Sequence, residues 1–284
     1  MKVVVFADVG WSVGRVHKDV SKYLYGIEFV FMDWYNFTWD GLINAVNNSD
    51  VCLTNIVSLK YFHDWKMPIN LKKCLFLSHG FIDNDATPTE LIQEDLVYGV
   101  TSDSIRPLFP PDRKIFLMPN GVEPSHFTYT ERNGNIDVLG WCGATGVPSK
   151  QIHWAYEISA QTDIPLTVGD GMSFEDIAKW YHTIDILLVT SIPNGSSETG
   201  PLPAFEAIVS GVLVIGTPVG NFKHVPGPKF NSVEEAVSLI RDLQGNPKLV
   251  KDLARQQYEY VMENHTYSSF AYKWQEALEY VSSR

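Results

Sequence analysis

Glu198 and Glu206 stand eight positions apart around Thr199-Gly200-Pro201-Leu202-Pro203-Ala204-Phe205. This is the stretch of the chain best suited to chemistry. The pattern predicts a strand, a Gly/Ser/Asn loop and then a helix over about 201–210. Pro201 suits the first helical turn, where its missing N–H costs no hydrogen bond. Gly211 suits the position that ends the helix. The helix N-terminus at Gly200-Pro201-Leu202 then lies at the carboxyl end of a parallel strand, where α/β sheets bind ligands. Its amides and dipole favour an anion, and a diphosphate is the natural candidate. Glu198 sits in the loop facing such a ligand. Glu206 lies just over one turn into the helix, placed to accept hydrogen bonds from vicinal hydroxyls such as those of a ribose.

These residues depend on a regular scaffold. Short apolar runs at 2–9, 27–33, 50–56, 72–80, 95–102 and 113–121 read as strands, with helical patterns at 14–25 and 41–48. Strand and helix in alternation imply a parallel sheet covered on both faces. Residues 119–135 are rich in Pro, Gly, Asn and Thr, lack apolar periodicity, and read as an inter-domain linker. A second series follows, with strands at 136–143, 164–171, 184–191 and 212–220. Helices are expected at about 150–161, at 173–182 and at about 201–210. From Ser232 to Arg284 the pattern is helical, broken at Gly245-Asn246-Pro247. The expected organisation is two α/β domains, 1–130 and 131–265, with a final helix at 266–284.

Composition narrows the classes. The chain has 284 residues, of which 45% are hydrophobic and 19% charged, so a large buried core is available and wholesale disorder is excluded. The net charge is −11 and neither half is basic. That argues against bulk attraction to nucleic acid or to an anionic membrane. No run approaches the length of a membrane helix. The N-terminus reads as a first strand, not a signal peptide. Cys52, Cys74 and Cys142 have neither metal spacing nor the look of a disulfide framework, and reduced thiols in a cytoplasm are the simplest reading. The spacing of Gly10 and Gly14 is not that of a dinucleotide site, and no G-x-x-x-x-G-K-[ST] loop occurs.

The run Glu198-Thr-Gly200-Pro-Leu-Pro-Ala-Phe-Glu206, followed by Ala207 and Gly211, resembles the acidic signature of the retaining glycosyltransferases of family 4. The resemblance implies the GT-B fold: two Rossmann-like parallel-sheet domains facing across a cleft, with a C-terminal helix crossing back to the N-terminal domain. It implies that Glu198 contacts the donor sugar, Glu206 the nucleotide ribose, and the Gly200, Pro201 and Leu202 backbone the sugar and phosphate. Other segments agree in order. Pro119-Asn120-Gly121-Val122 resembles the end of the family's first domain. Thr167-Val-Gly169-Asp-Gly171 resembles the loop that holds the base, so Gly169 and Gly171 are candidate donor-binding residues. Lys150 falls where the family places a Lys for the diphosphate. Gly10 and Gly14, after the first strand, resemble glycines close to the donor phosphate. Ser78-His79-Gly80 ends a strand where the family commonly has a His near the donor sugar, making His79 a catalytic candidate.

One departure stands out. The family's Arg shortly before that Lys is absent, the positions reading Gly143-Ala144-Thr145. Charge neutralisation would then rest on Lys150, the helix N-terminus and backbone amides, with Arg132 the one Arg able to reach from the linker. The resemblance implies a retaining hexosyltransferase taking a UDP- or GDP-linked sugar as co-substrate, with no further cofactor and no metal. Its partners would be that donor and a hydroxyl acceptor: a polysaccharide, a lipid-linked glycan, a protein, a small molecule or a modified nucleobase. Two other readings stay open: a sugar-nucleotide epimerase or hydrolase of the same architecture, and a non-catalytic sugar-nucleotide-binding protein.

Overall fold

The computed structural model describes residues 1–10, 12–80, 86–93, 95–193 and 198–284. Trp11 and Asn194-Gly195-Ser196-Ser197, parts of the two loops singled out above, lie outside the described residues. The chain forms two compact units, Met1–Asn120 with Tyr267–Arg284, and Gly121–Thr266.

The first unit holds a six-stranded parallel sheet of order β2-β1-β3-β4-β5-β6. Its strands are β1 (Lys2–Ala7), β2 (Glu28–Asp33), β3 (Val51–Asn55), β4 (Cys74–Ser78), β5 (Val97–Val100) and β6 (Lys114–Leu117). The central strands β3 and β4 are buried along their whole length, whereas edge strand β2 is only partly covered. Continuous apolar runs such as Val51-Cys-Leu suit a sheet packed on both faces. Helices α1 (Ser12–Ser21), α2 (Trp39–Asn47) and α3 (Val57–Asp64) belong to this unit. The register sets Cys52 opposite Cys74, both as buried free thiols.

The second unit holds a four-stranded parallel sheet of order β10-β9-β7-β8. These are β7 (Leu139–Cys142), β8 (Leu166–Gly169), β9 (Ile186–Val189) and β10 (Leu213–Gly216). Around it lie α4 (Ile152–Thr162), α5 (Phe174–Trp180), α6 (Leu202–Val209), α7 (Val233–Gln244) and α8 (Pro247–Asn264). The period-2 alternation of strand side chains splits the core in two. Leu187, Val189 and Val214 pack with α6 on one face. Ile186, Leu188, Leu213 and Ile215 pack with α4 and α7 on the other. Gln257 of α8 is fully buried and ties that helix to β10, accepting from Val214 N and donating to Val214 O.

Among the described residues, all ten strands lie inside the segments the sequence marks. The helices differ more. Residues 57–64, which show no clear amphipathic signal, form α3. The expected helix at 14–25 ends at Ser21, and the tail breaks a second time at His265-Thr266. The last helix, α9 (Tyr267–Ser282), packs against α1, β4 and β6 within the first unit. Its Trp274 is buried and donates to Pro119 O at 3.3 Å. Tyr272 and Tyr280 of the same helix are exposed.

The boundary between units falls after Asn120, before the 130/131 division drawn from composition. Residues 121–135 are not a bare linker. Val122 is buried in the core of the second unit and its N–H donates to His265 O. Thr130 N donates to Ser210 O. Phe127 packs edge-on against Phe174 and Tyr181. Among the described residues no helix is long and apolar enough to cross a membrane.

Candidate functional site

The carboxyl ends of β7 and β9 carry the densest group of expected site residues. α6 begins at Leu202, with Pro201 as its N-cap and no side chain capping its first turn. Pro201 and Pro203 carry no N–H, and Ala204 N and Phe205 N donate to Pro201 O, so Leu202 supplies the remaining amide at the tip of α6. Glu198 Oε2 accepts from Lys150 Nζ at 2.8 Å, and both side chains are mostly buried. A charge-assisted bond of that length in a half-desolvated position is among the stronger side-chain contacts a protein makes.

Lys150 does not open a helix. It ends a 3-10 turn over Pro148–Lys150, and Gln151 follows in the left-handed region at φ 46°. Lys150 is already paired with a carboxylate, Glu198. The turn is fastened to β9. Thr190 Oγ1 donates to Lys150 O at 2.7 Å and accepts from Trp141 Nε1 at 2.9 Å, while Ile192 N donates to Ser149 O. Gly143 supplies the room: a Cβ there would meet Lys150 Cδ at 3.0 Å. At this point of the chain a glycine makes space for the lysine stem, where the family pattern has an Arg nearby.

Glu206 is not a surface helix residue. It is 4% exposed, and its Oε2 accepts from the Tyr181 hydroxyl at 2.9 Å. Burial, then the Glu206 charge, push the Tyr181 phenol well above its ordinary range, so it stays a neutral donor. Burial and the same carboxylate push the Cys142 thiol up to about 12. The site loop is held from below by Gly220 and Asn221. Asn221 N donates to Thr199 O at 2.9 Å, and Gly220, at φ 44°, passes so close that a Cβ would collide with the Thr199 carbonyl. The concavity under Lys150, Glu198, Pro201 and Pro203 is about 20 Å³. That is room for about one water.

Gly169 and Gly171 separate in role. Gly169 is buried, and a Cβ there would press on Ile177 and Trp180, which makes it a packing glycine. Gly171 is exposed in a left-handed turn at φ 64° with open space around it. Neighbouring Asp170 accepts from the Thr145 hydroxyl at 2.6 Å, which lowers its carboxyl below the usual range. Arg132 is committed elsewhere. Its guanidinium donates to Tyr181 O and His182 O and lines a cavity of about 220 Å³ beside Asp185 and Leu213, at the amino ends of the strands. That larger cavity is remote from Lys150 and Glu198, and Arg132 does not stand in for the missing Arg.

In the first unit, Gly10 is exposed after β1. Gly14 lies inside α1, where a Cβ would collide with Asp8 O and Val9. Close approach of the helix to the preceding turn accounts for that glycine. His79 follows β4, its ring 5.6 Å from that of His17. His17 also meets Trp274 edge-on at 5.8 Å. His17 is buried, and among the described residues neither of its ring nitrogens finds a hydrogen-bond partner. Among the described residues no three His, Cys, Asp or Glu side chains are grouped as a metal site. Tyr181, Asn221 and His17 escape sequence reasoning. Each lies far along the chain from the group it touches, and no local pattern marks it.

No protein-family model matches the chain, and comparison with curated proteins finds no match. Solved structures do match. The chain is similar to sucrose-phosphate synthase from Thermosynechococcus elongatus, with a TM-score of 0.78, 12% identity and 100% of both chains covered. It is similar to Anabaena HepE in complex with UDP and glucose, with a TM-score of 0.76, 11% identity, and 99% of this chain and 100% of that one covered. An alpha-glucosyltransferase in complex with UDP and a 13-mer DNA containing a HMU base matches with a TM-score of 0.67, 13% identity and 100% of both chains covered. At such identities the likeness is one of fold. The fold of this chain is GT-B, the architecture of the glycosyltransferases it resembles.

Proposed function

We propose that the chain is a retaining glycosyltransferase that moves a hexosyl group from a nucleotide diphosphate sugar to a hydroxyl acceptor, working in the cytoplasm and without a metal. One observation carries the reading: Lys150 and Glu198 meet beside the start of α6, with Glu206 one turn further in, at the carboxyl ends of β7 and β9. The neighbours solved with UDP, UDP and glucose, or UDP-glucose support a uridine diphosphate donor.

In this reading Glu206 receives the ribose hydroxyls, and the Gly200 and Leu202 amides at the tip of α6 receive the diphosphate. The anomeric C–O bond to the diphosphate breaks as the acceptor oxygen bonds to the same face of the sugar. The acceptor proton passes to the departing phosphate oxygen. Negative charge grows on the diphosphate in that step, and stabilising it is the largest demand on the protein. Lys150 supplies it by exchanging Glu198 for phosphate. Glu198, released, holds sugar hydroxyls.

A thermal-shift screen of UDP, GDP and ADP and their hexose conjugates tests this. A ligand at about a hundred times its Kd stabilises by about 2.7 kcal/mol, or a few degrees of Tm for a chain of this size. A rise with one nucleoside diphosphate is expected. No rise with any of them at millimolar concentration sinks the reading.

A further inference from the structure

Both exposed tryptophans among the described residues, Trp39 and Trp65, stand in one patch of the first unit. Trp39 opens α2, just after the loop that leaves the carboxyl end of β2. Trp65 caps α3. Their rings meet edge-to-face at 4.4 Å and 89°. Phe37 meets Trp39 the same way at 4.6 Å, and Tyr61 lies 5.5 Å from Trp65. Phe37 in turn packs on buried Phe6 of β1 at 4.9 Å, which roots the outer rings in the core. Trp65 is 54% exposed, Tyr61 47% and Trp39 37%, so large ring surfaces face water.

An exposed apolar patch of this kind marks an interaction site, and its make-up limits the partner. The patch is aromatic and holds none of the exposed aliphatic side chains. Leu108 lies by β6 at the opposite sheet edge, and Met172, Ile192 and Leu249 belong to the second unit. Polar groups border the rings: Lys60 pairs with Asp64, His63 Nδ1 lies 3.4 Å from the same carboxylate, and Asp33 accepts from Tyr35 N. The charges there are largely paired among themselves, and the chain as a whole carries −11. A polyanion or an anionic bilayer finds no excess of positive charge to answer it. Ring faces held rigid by mutual edge contacts, with hydrogen-bonding groups at their rim, suit the C–H face and equatorial hydroxyls of a neutral sugar ring.

Position adds to composition. The loop that carries Phe37 and leads into Trp39 leaves the carboxyl end of β2, beside the carboxyl end of β1 that runs into Gly10 and on the same sheet edge as His79 after β4. Ligands of open α/β sheets bind outside this edge. We infer that Trp39, Trp65 and Tyr61 form a platform on which the sugar rings of a neutral oligosaccharide acceptor stack. This rests on the glycosyltransferase reading and names its acceptor class.

The test uses the full chain on an array of neutral hexose and N-acetylhexosamine oligosaccharides, with intact fold checked by near-UV circular dichroism. The wild-type protein is expected to bind at least one glycan class. Trp65→Ala should weaken that binding about tenfold, Tyr61→Ala less, and Trp65→Phe, which keeps a ring face, should restore most of it. No binding to any neutral glycan overturns the platform, as does binding indifferent to Trp65→Ala. It is equally overturned if Trp65→Ala instead abolishes binding to phosphatidylcholine–phosphatidylserine vesicles, binding to a DNA duplex, or self-association in sedimentation. Nucleoside diphosphate binding, with UDP, GDP and ADP, is measured on the same wild-type sample. Its absence with glycan binding intact defeats the glycosyltransferase reading alone, and its presence with no glycan bound defeats the platform alone.

Discussion

Lys150 Nζ and Glu198 Oε2 lie 2.8 Å apart across 48 residues of chain, and this pair joins the turn after β7 to the loop before α6. A salt bridge at the mouth of a site is a gate for charge. In the proposed reaction the lysine is already in place before a phosphate arrives and exchanges the carboxylate for it. Side-chain exposures of 24% and 13% leave both ions partly hydrated, so the pair can exchange partners without the full penalty of stranding a buried charge.

Lys150→Ala should lower turnover by about 100- to 1,000-fold, as loss of one preorganised donor to a developing oxyanion does, with a much smaller change in nucleotide affinity. Steady-state kinetics with the donor found by the thermal screen reads the split. Unchanged turnover rejects the assignment.

Glu206→Ala should weaken UDP binding by at least about tenfold, since a hydrogen bond to a charged group is worth about 1.5–3 kcal/mol. Isothermal titration reads it, and near-wild-type affinity rejects the ribose contact. Tyr181→Phe should act on stability first. It deprives a buried carboxylate of a donor and should cost about 1–3 kcal/mol, seen in urea unfolding.

His17 predicts a pH dependence of stability. Burial, and then the neighbouring His79, hold its imidazole well below the ordinary value of 6.5. The unfolded chain therefore binds a proton near pH 6.5 that the folded chain refuses. Stability from this group is complete above that pH and declines as the pH falls below it, by about 1.4 kcal/mol per unit for one proton. His17→Phe keeps a ring against Trp274 and His79 and should flatten the fall of Tm between pH 6.5 and 5 while leaving Tm at pH 8 unchanged or raised. A melt series identical in slope to wild type would reject the cause.

Gly220→Ala places a methyl group against the Thr199 carbonyl at a left-handed φ of 44°. Strain of this kind costs about 1–3 kcal/mol, and its relief would move the Glu198 loop. Lower Tm together with weaker UDP binding is expected. Gly171→Ala, also left-handed but in open space, should cost stability alone if that turn takes no part in donor binding.

The positions of the strands along the chain, the parallel class of both sheets and the helix α6 were legible in the amino-acid sequence. Continuous apolar runs, Pro201 and Gly211 act through their immediate neighbours, and local rules read local causes. The short α3 was not legible, because an eight-residue helix with a small apolar face gives little periodicity. Neither was the membership of residues 121–135 in the second unit, since a segment without periodicity can still be fastened by Val122 N to His265 O and Thr130 N to Ser210 O.

The candidate site divides along the same line. Sequence alone determined which residues stand at the tip of α6 and at what spacing, because a helix start is written within a few positions. Only the tertiary structure decided that Lys150 already holds Glu198, that Glu206 is buried against Tyr181, that Arg132 is spent on backbone carbonyls, and that Trp39 meets Trp65 in the open. Each of these joins residues tens of positions apart. Such pairings arise when sheet register and helix packing bring distant segments together, and short-range pattern carries no term for that.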